Sequence, residues 1–463
     1  MNNMLISKVT PIRILLLTLS LPFLVSVYFL NMSSFVSIYE GNLNLYYSLI
    51  YIGIVFLTVI LYFKFFNLDS NIVTQIEYDN VFFKKVIIIL FGLVLIGIFL
   101  HLYDKIIIRG YDYSNCIQNI REQWRHDSRY VNSIASSWFS ALGYILTFFH
   151  FPLIWMILLT GAVKKDHTKY FLILLALAPV SLLSYTVGSR SIMLLAVVHL
   201  VGCLLLTLNY QTIKTGLIKI LPIFLTSILV LLFFMLVMTK SQLYCNNNYQ
   251  TAGQTAGQTA GQTAGQTAGQ TAGQTAGQNY QDQYFSGYRS ELNIKNREGN
   301  RKDRGMTSEL IALYANNGAW NFEYTLHQDT QPGVVFFALI PRIFNNLKII
   351  ESAPTLPRTY GRGMISLVGS IWYDLSTIGM MLVAMLHGIL IIIVVKGLCS
   401  KNFSANFLYQ ITFVNLIIIH LFSPLVFAIN LMASPFMLFS YLILAIFIIS
   451  RGRLSWIKNT NKD

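Results

Sequence analysis

Five cations carry the first chemical suggestion. In the stretch YTVGSR, Tyr185 to Arg190, the chain turns between two apolar runs within a few residues, and the next helix is predicted to start at about Ser189. Gly188, Ser189 and Arg190 then lie at a helix N-terminus. Exposed backbone N–H groups, the positive dipole end and a guanidinium converge there on an anion. A snorkelling arginine that anchors the helix at lipid headgroups accounts for the same residue without a ligand. The stretch FFALIPRIFNNLKIIESAPTLPRTYGRG supplies the other four: Arg342 after a proline, Lys348 close behind, and Arg358 and Arg362 around a Tyr-Gly pair. A guanidinium fork binds phosphate bidentately and stays charged when partly buried, whereas lysine is a hydrated point charge. Arg121, Arg125 and Arg129 recur at every fourth residue and so share one helical face. That stripe serves an interfacial helix facing headgroups equally well.

Acid–base candidates are fewer. Asp374 falls in the outer part of a predicted span, where an ionisable group is a functional hypothesis by default. A helix-start carboxylate paired to one of the arginines is the alternative. Glu323 and His327 are the further candidates for a general base or its orienting partner, with Asp329, Asp127 and His126 also on the expected outer face. His101 and His420 lie near span ends; His150, His199 and His387 lie within spans and are expected to make interhelical hydrogen bonds. No His, Cys and carboxylate cluster has metal-ligand spacing, and no phosphate-binding glycine loop is present. Neither a metal nor another cofactor is therefore expected. The four cysteines make no disulfide framework, although Cys116 and Cys245 are both expected on the outer side.

The elements that must position these residues are apolar. Of 463 residues, 55% are hydrophobic and 11% charged, against about 25% charged in a soluble domain. Apolar runs long enough to cross a bilayer as helices fall at about Ile12–Leu30, Tyr46–Phe66, Val86–Leu102, Ser137–Leu159, Tyr170–Tyr185, Ile192–Leu208 and Leu217–Met238. Three more fall at about Ile371–Val395, Phe407–Phe422 and Pro435–Ile449. The fold class expected is an all-α polytopic membrane protein of about 10 (10–12) spans. The first run lacks a small-residue cleavage site and reads as a signal anchor. A net charge of +14 would suggest nucleic acid in a soluble protein; here its distribution over the spans matters more.

That distribution sets the topology. With the N-terminus in the cytoplasm, the inner segments hold thirteen lysines and only Arg13, Arg451 and Arg453, as the positive-inside rule requires. Both termini are then cytoplasmic. The outer segments reverse the bias, with twelve arginines against Lys105, Lys240, Lys295, Lys302 and Lys348. Long loops translocate whatever their charge, so pairing with nearby acids explains part of this; an outer-face site for a phosphorylated substrate explains the preference for arginine. The chain divides into an N-terminal bundle (residues 1–238), a large outer loop (239–363) and a C-terminal bundle (364–463). The first outer segment is expected to run from about Tyr103 to Ile134. Within the large loop, SELIALYANNGAWNFEYTLHQ and PGVVFFALIPRIF read as short amphipathic or re-entrant helices, which are tolerated at membrane depth only where they are buried or line a cavity.

The same loop carries seven uninterrupted TAGQ units, residues 251–278. The unit has no charge and no large apolar group, and its glycine would cost a helix about 1 kcal/mol each time. A disordered spacer is expected, with a root-mean-square span of roughly 30 Å.

The GSR turn at Gly188–Arg190, the stretch Ile340–Lys348 (IPRxxxxxK) and the segment Gly369–Gly379 (G-x-x-x-x-D-L-x-x-x-G) together resemble bacterial oligosaccharide repeat-unit polymerases of the Wzy type. The resemblance implies a membrane-embedded glycosyltransferase of the C type in the bacterial inner membrane. It implies transfer of a glycan from undecaprenyl pyrophosphate to another lipid-linked repeat unit, for O-antigen or capsule, with no nucleotide and possible coupling to a chain-length regulator. Arg190, Arg342, Arg358, Arg362 and Lys348, with Arg125 and Arg129, would hold pyrophosphate and glycan. Glu323, His327 or Asp374 would supply the base or its orienting partner. An O-antigen ligase and a lipid-linked oligosaccharide flippase are the competing readings.

Overall fold

The computed structural model describes residues 9–32, 35–37, 43–65, 80–111, 113, 138–159, 163, 166–187, 190–208, 294–296, 316, 318, 320–323, 326, 366–398, 403–423 and 434–460. Apart from one pair of three-residue strands, β1 (Phe35–Ser37) and β2 (Ile294–Asn296), the elements are helices. In chain order they are α1 (Val9–Met32), α2 (Leu43–Phe65), α3 (Asn80–Leu102), α4 (Trp138–Thr147), α5 (His150–Leu159), α6 (Asp166–Val187) and α7 (Arg190–Leu208). Then follow α8 (Leu367–Gly397), α9 (Phe403–Phe422) and α10 (Ser434–Thr460).

Six stretches are long and apolar enough to cross a membrane: Pro11–Tyr28, Leu43–Phe65, Val81–Ile108, Trp138–Leu159, Thr168–Thr186 and Leu367–Gly397. Shorter apolar helices at Ile192–Leu206, Asn406–Phe422 and Phe436–Ile448 fall on three further expected spans. The remaining one, Leu217–Met238, lies outside the described residues, as does the TAGQ array. The pattern of exposure is that of a lipid-solvated bundle. Ile88 is 71% and Ile378 73% exposed, while Asn44, Ser48, His199 and His420 are buried. An apolar surface over a partly polar interior is stable only where the solvent is itself apolar.

Glycine sets the helix contacts, since helices in lipid associate by close packing rather than by hydrophobic exclusion. A Cβ on Gly97 of α3 would lie 2.5 Å from the Thr147 backbone nitrogen of α4, and one on Gly143 would lie 2.6 Å from that of His101. Gly388 of α8 meets α2 in the same way, 2.7 Å from Thr58 Cβ.

Two spans are interrupted. Between α4 and α5 the helix breaks at Phe148–Phe149, because Pro152 has no N–H for the Phe148 carbonyl. Phe151 N bonds that carbonyl instead at 3.2 Å, and Leu153 N reaches Phe149 O at 3.0 Å. The second break lies in α8 at Ser376, whose φ of 60° and ψ of −172° are non-helical.

One boundary departs from the sequence reading. The chain stays helical past Leu102, continuing as a π-turn over Tyr103–Ile108. The apolar run Ile106–Ile108 extends the helix beyond the charged pair Asp104–Lys105, so the segment expected to begin as an outer loop at Tyr103 begins as helix.

The strands pair antiparallel, Val36 opposite Lys295. Residues 294–296, beyond the TAGQ array, are thereby tied to the α1–α2 connection. Both segments lie at one end of the bundle.

Candidate functional site

At that end a small cavity opens among α1, α2, α8 and the residue after α9. Its polar lining comes from Ser26, Asn44, Ser48, Tyr51, Ser366 and Ser423, and its volume is about 30 Å³, room for a water or two. Asn44, Ser48 and Tyr51 recur at helical spacing and so share the buried face of α2. Ser366 caps α8, accepting a hydrogen bond from Gly369 N at 3.0 Å, the usual use of serine where the first N–H groups lack helical partners. Leu367 N donates to Ser423 O at 2.8 Å, which fixes the start of α8 to the end of α9.

Asn316, Gly318 and Phe322 pack on the helices at this end. Ser26 Oγ donates to Asn316 Oδ1 at 3.1 Å, and Ser366 N donates to Gly318 O at 3.4 Å. Phe322, Tyr47 of α2 and Trp372 of α8 meet in a three-ring contact with centroids 5.9–6.0 Å apart. Two of the sequence candidates are close in sequence to this contact. Glu323 follows Phe322 and Asp374 follows Trp372 by two residues; both carboxylates are buried, 6% and 2% exposed. Within the stretch expected to form a short amphipathic or re-entrant helix, Asn316, Gly318 and residues 320–323 are buried.

The break in α8 lies just beyond Asp374. Serine at φ 60°, ψ −172° occupies a region that is essentially glycine's, at a cost of about 1–3 kcal/mol. Trp372 Nε1 bridges the break by donating to Thr377 Oγ1 at 3.2 Å. The arm before the break, residues 367–375, has the cavity-lining Leu367 and Val368 at its start and Asp374 near its end. The arm after it, residues 377–397, rises about 31 Å and by itself matches a bilayer core.

A second charged group was not singled out from sequence. Asp104 in the π-turn is fully buried and accepts from Arg109 Nε at 2.9 Å, with Lys105 Nζ 3.7 Å away. Lys105 lies over the Tyr111 ring, 5.5 Å from its centroid. Tyr113 donates to Thr186 O at 3.0 Å near the end of α6, and so ties this group to the turn before Arg190. Burial, and then Tyr111, Asp104 and Tyr185 around it, raise the Tyr113 phenol above its ordinary value. The signal in the sequence was a charged pair inside a run that stays apolar, YDKIIIR; π-turns of this kind recur at functional sites.

Of the three histidines expected to bond between helices, two do so. His199 of α7 bonds Tyr441 of α10, and His387 of α8 bonds both Tyr51 of α2 and His420 of α9, at 2.8 and 2.9 Å. His150 instead bonds within its own span, Nδ1 to Thr147 O at 2.8 Å.

Of the other site candidates, Arg190 is the first residue of α7. His327, Arg125, Arg129, Arg342, Lys348, Arg358 and Arg362 lie outside the described residues. Among the described residues, no group of three or more His, Cys, Asp or Glu side chains is placed to hold a metal ion. No family model matches the chain, and neither a curated protein nor a solved structure shows significant similarity to it.

Proposed function

We propose that this chain is a membrane-embedded glycosyltransferase that polymerises lipid-linked oligosaccharide repeat units into a surface polysaccharide. The donor is undecaprenyl pyrophosphate carrying the growing glycan, and the acceptor is a sugar hydroxyl on another lipid-linked unit. The reading includes a C-type fold of about ten spans in a bacterial inner membrane, with both termini cytoplasmic and the cavity end facing outward. One observation supports it most. Two buried carboxylates, Glu323 and Asp374, lie within two residues of the Phe322–Tyr47–Trp372 contact, at the end of the bundle that carries a polar cavity, and Asp374 precedes a strained helix break by two residues. Phe322 and Ser366 are both anchored at that end, and the segment that carries Arg342, Lys348, Arg358 and Arg362 joins them in sequence.

The chemistry asks for these groups. The anomeric C–O bond breaks and its electrons leave with the pyrophosphate, whose developing charge the arginines stabilise, at roughly 2.7–4 kcal/mol for each donor acting as an oxyanion-hole donor does. A carboxylate orients or receives the acceptor proton.

The test is polysaccharide length in cells deleted for this chain and supplied with variants. Arg190→Ala and Arg342→Ala are expected to reduce a long ladder to a single capped repeat. Unchanged ladders in both would remove the arginine assignment, and loss of every capped core would favour a ligase.

A flippase is favoured by one specific observation, the two interrupted spans, since transporters bind substrate at broken helices. Purified protein in liposomes that moves lipid-linked oligosaccharide across the bilayer without elongating it would establish that reading instead.

A further inference from the structure

A hydrogen-bonded chain runs from the cavity into the bundle through side chains of four helices. Tyr51 lines the cavity, and its hydroxyl lies 2.8 Å from His387 Nδ1. His387 Nε2 lies 2.9 Å from His420 Nε2, and His420 Nδ1 lies 3.1 Å from Thr18 Oγ1. Thr18 Oγ1 donates to Leu15 O at 3.0 Å. All four side chains are buried, none more than 8% exposed.

Donor counting fixes the direction of the whole chain. The Thr18 hydroxyl has one proton and gives it to Leu15 O, so it accepts from His420, whose Nδ1 carries the hydrogen. A neutral imidazole has one N–H, so His420 Nε2 is an acceptor and His387 Nε2 is its donor. His387 Nδ1 is then an acceptor, and Tyr51 donates to it. Every bond points away from the cavity. The inner partner of Tyr51 is therefore an unprotonated imidazole nitrogen, whose lone pair accepts the Tyr51 hydrogen and can take up its proton. The cavity lining contains no charged residue and six hydroxyl- or amide-bearing ones. With room for a water or two it admits a single neutral hydroxyl, and its lining offers no cation to an anion.

We propose that Tyr51 is the catalytic residue that takes the proton from the acceptor sugar hydroxyl, with His387 and His420 as the relay that receives it. This rests on the glycosyltransferase reading and names the acceptor side of that site. The acceptor O–H bond breaks as its oxygen bonds the anomeric carbon, while the anomeric C–O bond to pyrophosphate breaks and its electron pair leaves with the pyrophosphate. The acceptor proton passes to the Tyr51 oxygen as the Tyr51 proton passes to His387 Nδ1. The resulting imidazolium donates through Nε2 to His420 Nε2, which shares the charge. The proton returns through Tyr51 to water when product leaves, and the chain is restored. His387 and His420 act through Tyr51 and are positioning residues.

The experiment uses the full chain in lipid nanodiscs, with lipid-linked repeat units extracted from the host as donor and acceptor. Tyr51→Phe keeps the ring and removes the hydroxyl. The expected result is a fall in kcat of about 100-fold or more, with donor KM within twofold of the parent and the solvent deuterium isotope effect altered. His387→Gln should lose a similar factor, and the double variant little more than either single one, because a relay fails as a unit. Nitrogen-15 spectra of the histidines should show one ring protonated at Nε2 and one at Nδ1 in this coupled pair. Two rings of the same tautomer, or a Tyr51→Phe protein whose kcat stays within threefold, would overturn the relay alone. A parent protein that transfers no glycan under these conditions would instead remove the glycosyltransferase reading, and the relay with it.

Discussion

Asp104 shows how much depends on single side chains in this bundle. A fully buried carboxylate is tolerable only while cations stand against it, here Arg109 at 2.9 Å and Lys105 at 3.7 Å. Arg109→Ala is expected to destabilise the protein by about 3–5 kcal/mol, because it leaves the carboxylate poorly compensated. Adding Asp104→Asn should recover part of that loss, and thermal unfolding in detergent checks both; equal losses in single and double variants would contradict the pairing. The carboxylate of Asp374 is argued differently, since its candidate role is chemical. Asp374→Asn preserves volume, so the expected outcome is an unfolding temperature near that of the parent and polysaccharide shortened to single units. Asp374 was legible in the sequence as an ionisable group within a span, and Glu323 as an acid–base candidate on the expected outer face. Asp104 was not, because a charge pair at a span end reads as the start of a loop.

At the scale of elements, the interrupted helices and the glycine contacts make the sharper predictions. Ser376 holds a backbone conformation natural to glycine, so Ser376→Gly should raise the unfolding temperature, while Ser376→Val should lower it. If the serine conformation is unstrained, glycine will lower it too. In the α3–α4 contact a side chain on Gly143 would meet the backbone of His101. Gly143→Val is expected to cost about 1–3 kcal/mol or more by overpacking, measured by the same unfolding assay. The spans themselves were readable because lipid requires long apolar runs. The breaks were only half readable. Pro152 announces one, whereas Ser376 carries no local signal; its conformation accompanies the bridge from Trp372 to Thr377 and the packing of Trp372 on Tyr47 and Phe322.

For the whole molecule, the pairing of Val36 with Lys295 ties two loops separated by six expected spans. Directly opposed strand residues have Cβ atoms about 4.5–5.5 Å apart, near disulfide reach. Cysteines at these two positions should therefore cross-link under mild oxidation, and the same thiols should react with a membrane-impermeant reagent added from outside. Cross-linking with reaction only from inside would keep the fold and invert the topology. Deleting TAGQ units should leave polymer length nearly unchanged, since a spacer of the kind expected from the sequence costs only about 0.6 kcal/mol per doubling of its length.

The sequence by itself determined that this is a helical membrane protein, roughly where its spans run, and that its cations divide by type between lysine and arginine. Those properties are local, because each span must satisfy its own backbone and its own contact with lipid. Only the tertiary structure decided which polar groups meet. Tyr51 and His387 are 336 positions apart, and His420 and Thr18 are 402. No spacing rule links such residues. Their partners are chosen by which helix faces pack together, and small residues such as Gly388, on the α8 face that meets α2, are what let those faces come close.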